Sequence, residues 1–180
     1  MFGMMNGARM GVGIQGIAVG EVAYQNGVAY AQERLAGRAL TGAKNPSGPA
    51  DPIIVFPDVR RLLIGARSFV EGARALAMYV SFLFSVSRSS PDPKEREEAE
   101  DLSQLFTPVI KAYFTDKGFE AANASMQVYG GHGYIQEWGM DQFVRDARIA
   151  MIYEGANGVQ ALDLVGRKLA ANGGRAVFAF

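Results

Sequence analysis

Glu154 closes the apolar run Ile149-Ala150-Met151-Ile152-Tyr153 and is followed by Gly155. A carboxylate at the end of such a run is a candidate for partial desolvation, which makes it a stronger base near neutrality. Most glutamates in comparable settings are surface residues, and the spacing alone leaves both readings open. Gly130-Gly131-His132-Gly133 is a glycine-rich turn that can bring backbone N–H groups close to a phosphate or can simply end a helix. No strand precedes it, so the dinucleotide-fold fingerprint does not apply. His132, set between glycines, reads as a turn residue or as a proton shuttle. It is the only histidine, which excludes a multi-histidine metal site and disfavours a serine triad. The absence of cysteine excludes a disulfide scaffold, a thiolate zinc site, an iron–sulfur cluster and a cysteine nucleophile.

The elements that must position these groups read as helices. Residues 1–36 are small and apolar almost throughout, with glycines at 3, 7, 11, 13, 16, 20 and 27. Each interior glycine costs a helix about 1 kcal/mol relative to alanine. No proline interrupts the segment, so it is expected to be a helix, near 1–38, whose glycines let another backbone approach. Pro46, Pro49, Pro52 and Pro57 with Gly42 and Gly48 mark a connector. From Val59 to Phe84 apolar residues recur at i, i+3, i+4, which predicts a helix over 58–88 opened by Pro57 and Asp58 and stopped by Ser89-Ser90-Pro91. A third helix is expected over 94–129, with acidic residues in its first turns, an apolar stripe from Leu102 to Val128 and a kink at Pro108. A short helical piece near 142–148 and a last helix near 158–170, ended by Gly173-Gly174, complete the set. No strand is expected. The fold class predicted is all-α, an antiparallel up-down-up-down four-helix bundle.

At 180 residues the chain suits one domain, and 49 % apolar residues with 11 Phe, 7 Tyr and 1 Trp can bury a core. Eighteen basic against eighteen acidic residues remove the footprint of a nucleic-acid binder. No run reaches the roughly 18 uninterrupted apolar residues of a membrane span, and the start of the chain lacks a signal-peptide pattern. A cytoplasmic protein is expected.

Four segments, taken in order, carry a resemblance. They are Tyr30-Ala31-Gln32-Glu33-Arg34, Gln127-Val128-Tyr129-Gly130-Gly131-His132-Gly133-Tyr134, Arg145-Asp146-Ala147-Arg148-Ile149 and Ile152-Tyr153-Glu154-Gly155-Ala156-Asn157-Gly158-Val159-Gln160. With helices between them, residues 1–170 resemble the C-terminal helical domain of the acyl-CoA dehydrogenases. The connector and the stretch 160–169 are most similar to a long-insert subgroup that includes the 3-methylmercaptopropionyl-CoA dehydrogenases.

The resemblance implies that residues 1–180 are one helical-bundle domain of a larger three-domain flavoenzyme. It implies FAD, an acyl-CoA thioester substrate, an electron-transfer flavoprotein or similar acceptor, and a homodimer or homotetramer. Carried over by position, Glu154 is the base that removes the α-proton. Arg34 reaches the FAD pyrophosphate of a neighbouring subunit, and Gln127, Gly130 and Gly131 hold the other end of that cofactor. Ala156 and Gly158 stand at cofactor-contacting positions, and Asn6, Arg9 and Gly155 on the substrate side. The chemistry is consistent: removing a weakly acidic α-proton needs a positioned base, and an arginine fork suits a pyrophosphate. Departures from the family pattern are Ala156 for a usual threonine, Gly158 for a common glutamine, Arg38 for a frequent glycine, and Phe56-Pro57 for a His-Gln pair. They leave open a non-catalytic helical oligomerisation module of the same fold, and nothing in the sequence separates a dehydrogenase from an acyl-CoA oxidase.

Overall fold

The computed structural model describes Phe2–Phe180; Met1, with which the expected first helix begins, lies outside the described residues. Three long helices dominate: α1 (Phe2–Glu33), α2 (Pro57–Ser89) and α3 (Pro93–Val128). Shorter helices follow: α4 (Met140–Ala150), α5 (Asn157–Asp163) and α6 (Arg175–Ala179). Single 3-10 turns cover Ile53–Val55, Gly130–Tyr134, Gln136–Trp138 and Ala171–Gly174. Among the described residues the only β-type pairing is one isolated bridge between Leu35 and Pro52.

The helix starts follow local chemistry. Pro57 opens α2, with Asp58 in its first turn and Arg88 in its last, each on the favourable side of the helix dipole. Asp92 caps α3 by accepting the Lys94 N–H at 2.9 Å. Pro108, expected to kink α3, lies inside it without ending it.

α1 and α3 run parallel and touch through glycine. A Cβ at Gly13 would meet Ile110, one at Gly16 would lie 2.5 Å from the Phe114 carbonyl oxygen, and one at Gly20 would meet Ala121 and Gly118. Seen from α3, a Cβ at Gly118 would strike the backbone of Gly16. Three of the glycines that weaken α1 as an isolated helix, Gly13, Gly16 and Gly20, thus let it seat against α3. α2 runs antiparallel to both, pairing Phe69 with Tyr113 and Tyr79 with Phe106. Leu63, Ala66, Val70, Ala73, Ala77, Val80 and Leu83 face the core, the stripe that the spacing predicts. By length and composition α2 alone among the described helices could cross a membrane; here its buried stripe packs on α1 and α3.

The fourth strut of the bundle is broken. The chain from α4 to α6 runs back along α3, from Ala122 and Tyr129, past Lys111 and Asp116, to Asp101 and Phe106. The single helix expected over 158–170 is instead α5 followed by a π-turn, Leu164–Lys168, with Gly166 at its centre. Left-handed Gly173 and Gly174 end it where expected, and α6 then docks through Arg175, which pairs with Asp101 and with Glu97.

α1 also ends earlier than expected, at Glu33. The competing structure is the connector. Asp51, fully buried, accepts the backbone N–H groups of Ala39, Lys44 and Asn45 at 2.7–2.9 Å and the Arg38 guanidinium at 3.3 Å. Ile53 donates back to the Arg34 carbonyl at 2.8 Å, so residues 34–37 are drawn out of the helix to pair with 51–53. These backbone donors, that of Ala39 foremost, hold the Asp51 carboxyl below the usual carboxylate range.

Candidate functional site

Two groups of sequence-derived residues are assembled at different heights on the bundle. At the end of α1, Arg34, Gln127, Gly130 and Gly131 line one cavity of about 410 Å³ together with Tyr30, Ile53, Tyr129 and His132. Gly130 takes a left-handed φ of 58°, and its turn leaves open space beside both glycines. Arg34 and Gln127 are exposed, and Arg34 makes no ion pair among the described residues. Beneath them Tyr30 stacks on Tyr129 with ring centroids 4.0 Å apart, and His132 stacks on Trp138 at 5.1 Å. The Tyr30 hydroxyl and His132 Nδ1 share a hydrogen bond of 2.9 Å. His132 is therefore a structural turn residue, clamped between two rings. Burial, with Tyr30 and Glu33 nearby, pushes the Tyr129 phenol up.

The second group surrounds the turn between α4 and α5. Glu154 adopts φ 53°, left-handed for a non-glycine residue, and Gly155 follows at φ 89°. Such a conformation costs about 1 kcal/mol or more and persists only where its surroundings hold it. Gln160, fully buried on α5, does so by donating its side-chain N–H₂ to the carbonyls of Gly155 (3.1 Å) and Glu154 (3.4 Å). A Cβ at position 155 would lie 2.5 Å from that amide nitrogen and would push the Gln160 amide off the carbonyls it holds, and the φ itself favours glycine. The Glu154 side chain is exposed in this chain, as are Ile149, Ile152 and Tyr153 before it. Of the two readings left open by the spacing, the surface one describes Glu154 within this chain: of the apolar run only Ala150 is fully buried, and its larger members Ile149, Ile152 and Tyr153 lie on the surface of α4 and its turn.

Arg9 joins this group from α1. Its guanidinium pairs with Asp163 of α5 at 2.8 Å, with the two side chains 12 % and 7 % exposed. Arg9 Nε and Gln160 Oε1 are buried without a partner among the described residues. Asn6, one turn before Arg9 on α1, is also buried. Tyr153 bonds Gln15, tying the turn to the same stretch of α1. Ala156 is the N-cap of α5 and offers no side-chain cap, while Gly158 is exposed in open space.

Lys111 of α3 belongs to none of the four family-like segments. It is fully buried and donates to Asn157 Oδ1 at 2.8 Å. Burial pushes its ammonium below the usual lysine range, opposed by Asp116 and Glu154 and reinforced by Arg9. The signal available in the sequence was its register: Lys111 falls on the inward stripe of α3 between Thr107 and Phe114. Among the described residues no cluster of three metal-ligating side chains occurs.

Residues 1–169 match the family model described as acyl-CoA dehydrogenase, C-terminal domain. The chain is 42 % identical over 97 % of its length to 3-methylmercaptopropionyl-CoA dehydrogenase of Ruegeria pomeroyi, of which it covers 29 %. It is 34 % identical over 93 % of its length to butyryl-CoA dehydrogenase of Syntrophomonas wolfei, of which it covers 27 %. Its fold superposes with a TM-score of 0.82 on Caenorhabditis elegans ACDH-11 in complex with C11-CoA, at 18 % identity, covering 98 % of this chain and 27 % of that one. The chain thus spans less than a third of the length of these relatives.

Proposed function

This chain belongs to the acyl-CoA dehydrogenase family as its C-terminal domain, and on that premise we propose that the protein of which it is one domain oxidises an acyl-CoA thioester to the α,β-unsaturated thioester. Glu154 is the base for the α-proton, and FAD supplies the hydride acceptor that no side chain can be. The observation that carries this reading is the convergence of Arg34 with Gln127, Gly130 and Gly131, far apart in sequence, on one cavity. Their chemistry fits a dinucleotide cofactor. Arg34 has a free guanidinium fork for a pyrophosphate, Gln127 an exposed amide, and the Gly130–Gly131 turn has no side chain to obstruct a close approach.

The distance between the two groups supports assembly into a homodimer or homotetramer. Gln15, beside the Glu154 turn, and Glu33, the last residue of α1 and the neighbour of Arg34, are eighteen residues apart on one helix, about 27 Å at 1.5 Å per residue. The base of one copy is thus paired with the phosphate-gripping cavity of another. Exposed Ile64, Met78 and Phe82 on the outer face of α2 are consistent with a further contact between copies. Ile152 on the Glu154 turn and Val159 and Leu162 on α5 are exposed apolar side chains that the rest of the protein would cover, drying the base. We assign Asn6, Arg9 and Gly155 to the acyl-CoA side of the turn, and an electron-transfer flavoprotein or similar acceptor takes the electrons onward. Fatty acid metabolism in the cytoplasm is the setting we assign.

The test of the cofactor assignment is flavin retention. In the full-length flavoprotein, Arg34→Ala should leave less than about a tenth of the normal flavin after gel filtration, since a charge-assisted pair is worth about 1.5–3 kcal/mol. Retention at the unmodified level would contradict it.

A further inference from the structure

The mechanism leaves one buried charge without a task. Lys111 lies in the middle of α3 with no exposed surface, and its ammonium reaches one side-chain acceptor, Asn157 Oδ1, at 2.8 Å. Asn157 is the first residue of α5, three positions after Glu154. Its amide nitrogen donates to the Asp116 carboxylate at 2.7 Å and to the Ala112 carbonyl at 3.2 Å. Its backbone N–H donates to the Met151 carbonyl at 3.2 Å, across the whole turn that carries Glu154. One residue therefore closes the turn on itself and bolts it to α3.

We infer that Lys111 is a positioning residue for Glu154: by gripping Asn157 it locks residues 151–157 against α3 and so fixes where the carboxylate points. This rests on Glu154 being the base, as proposed above. Two features call for such a lock. The left-handed step at Glu154 is not one that the residue adopts by itself. The turn is also exposed on its outer side, so apolar packing cannot hold it. Gln160 fastens the carbonyls of the turn from below, and Lys111 fastens its C-terminal end. A lysine suits the place because an ammonium makes a stronger bond to the amide oxygen than a neutral donor would. The charged groups facing it are Asp116 on the same helix, Arg9 on α1 and Glu154 itself.

The test is amide hydrogen exchange read by NMR on the full chain, with Lys111→Met, Asn157→Ala and the double variant. Ile152, Tyr153 and Asn157 donate backbone hydrogen bonds inside the turn and serve as probes. Each single variant should speed their exchange by about tenfold or more. The double variant should add nothing, because both residues belong to one linkage. Amides in the α1–α3 seam near Gly16 and Gly118 should keep their protection. Unchanged exchange in the turn, additive effects in the double variant, or equal loss of protection in the seam would each overturn the inference. Should Lys111→Met fail to fold, Lys111→Gln decides, since it withdraws the ammonium from Asn157 while leaving the bonds of Asn157 to Ala112, Thr115 and Asp116 in place. In the flavin-loaded enzyme, Asn157→Ala should lower kcat about tenfold with KM within about twofold. A loosened turn with an unchanged kcat would sink the assignment of Glu154 as base while leaving the Lys111 linkage intact.

Discussion

At the residue scale the candidate base is held by its backbone. Glu154 stands in a left-handed step because Gly155 has no Cβ to collide with the Gln160 amide, and Gln160 is buried on the face of α5 turned toward α3. The pattern Glu-Gly with a glutamine six positions after the glutamate was visible in the sequence. What the glutamine does was not, because nothing in a linear spacing says that an amide will turn back onto carbonyls. Lys111 was harder still to read, since a lysine on an apolar stripe looks like a surface residue slightly out of register. Its burial has a pH signature. The ammonium is pushed down, so at pH values just below the usual lysine range the unfolded chain holds a proton that the folded chain lacks, and stability rises with pH there. Urea denaturation between pH 7.5 and 10 should show the unmodified chain gaining on Lys111→Met as pH rises. A difference that stays flat or narrows the other way would show that Lys111 is not a desolvated cation.

At the element scale the glycines of α1 divide into two kinds. Gly13, Gly16 and Gly20 form the seam with α3, whereas Gly7 and Gly11 face open space. Gly16→Ala would set a methyl group 2.5 Å from the Phe114 carbonyl oxygen and should destabilise the chain by about 1–3 kcal/mol through forced separation of the helices. Gly72→Ala, on the open face of α2, should instead stabilise it by about 0.4–1 kcal/mol. Denaturant midpoints measured side by side check both signs; equal effects would remove the seam from the account. The close approach of a second helix was legible in this glycine spacing, as were the start of α2 at Pro57 and its inward stripe. Two features were not. α1 stops at Glu33 because Asp51, eighteen residues further on, collects the connector's N–H groups, a long-range competition invisible to local propensity. The last helix breaks into α5 and a π-turn because its partners on α3 and α1 lie at Lys111, Gln104 and Arg9, and a regular helix need not serve all three.

At the scale of the molecule, the Glu154 turn and the cavity lined by Arg34, Gln127, Gly130 and Gly131 lie beside α1 about 27 Å apart along its axis, and the proposed function makes one the base and the other the phosphate grip of two half-sites. Neither half is complete within this chain. Two or three charge-assisted hydrogen bonds at about 1.5–3 kcal/mol each barely meet the roughly 4–15 kcal/mol cost of immobilising a ligand. The isolated chain should therefore bind FAD weakly at best, and a titration by flavin fluorescence that gave tight binding would contradict the division of the site between copies. The residue on which the proposed function turns is Glu154, and its role is separable from its shape. In the full-length, flavin-loaded protein, Glu154→Gln keeps the size and the left-handed turn but removes the base. Mixed with an acyl-CoA thioester and followed by flavin bleaching, that variant should react at least about a hundredfold more slowly than the unmodified enzyme while retaining its flavin. Bleaching at close to the unmodified rate would show that Glu154 does not take the α-proton.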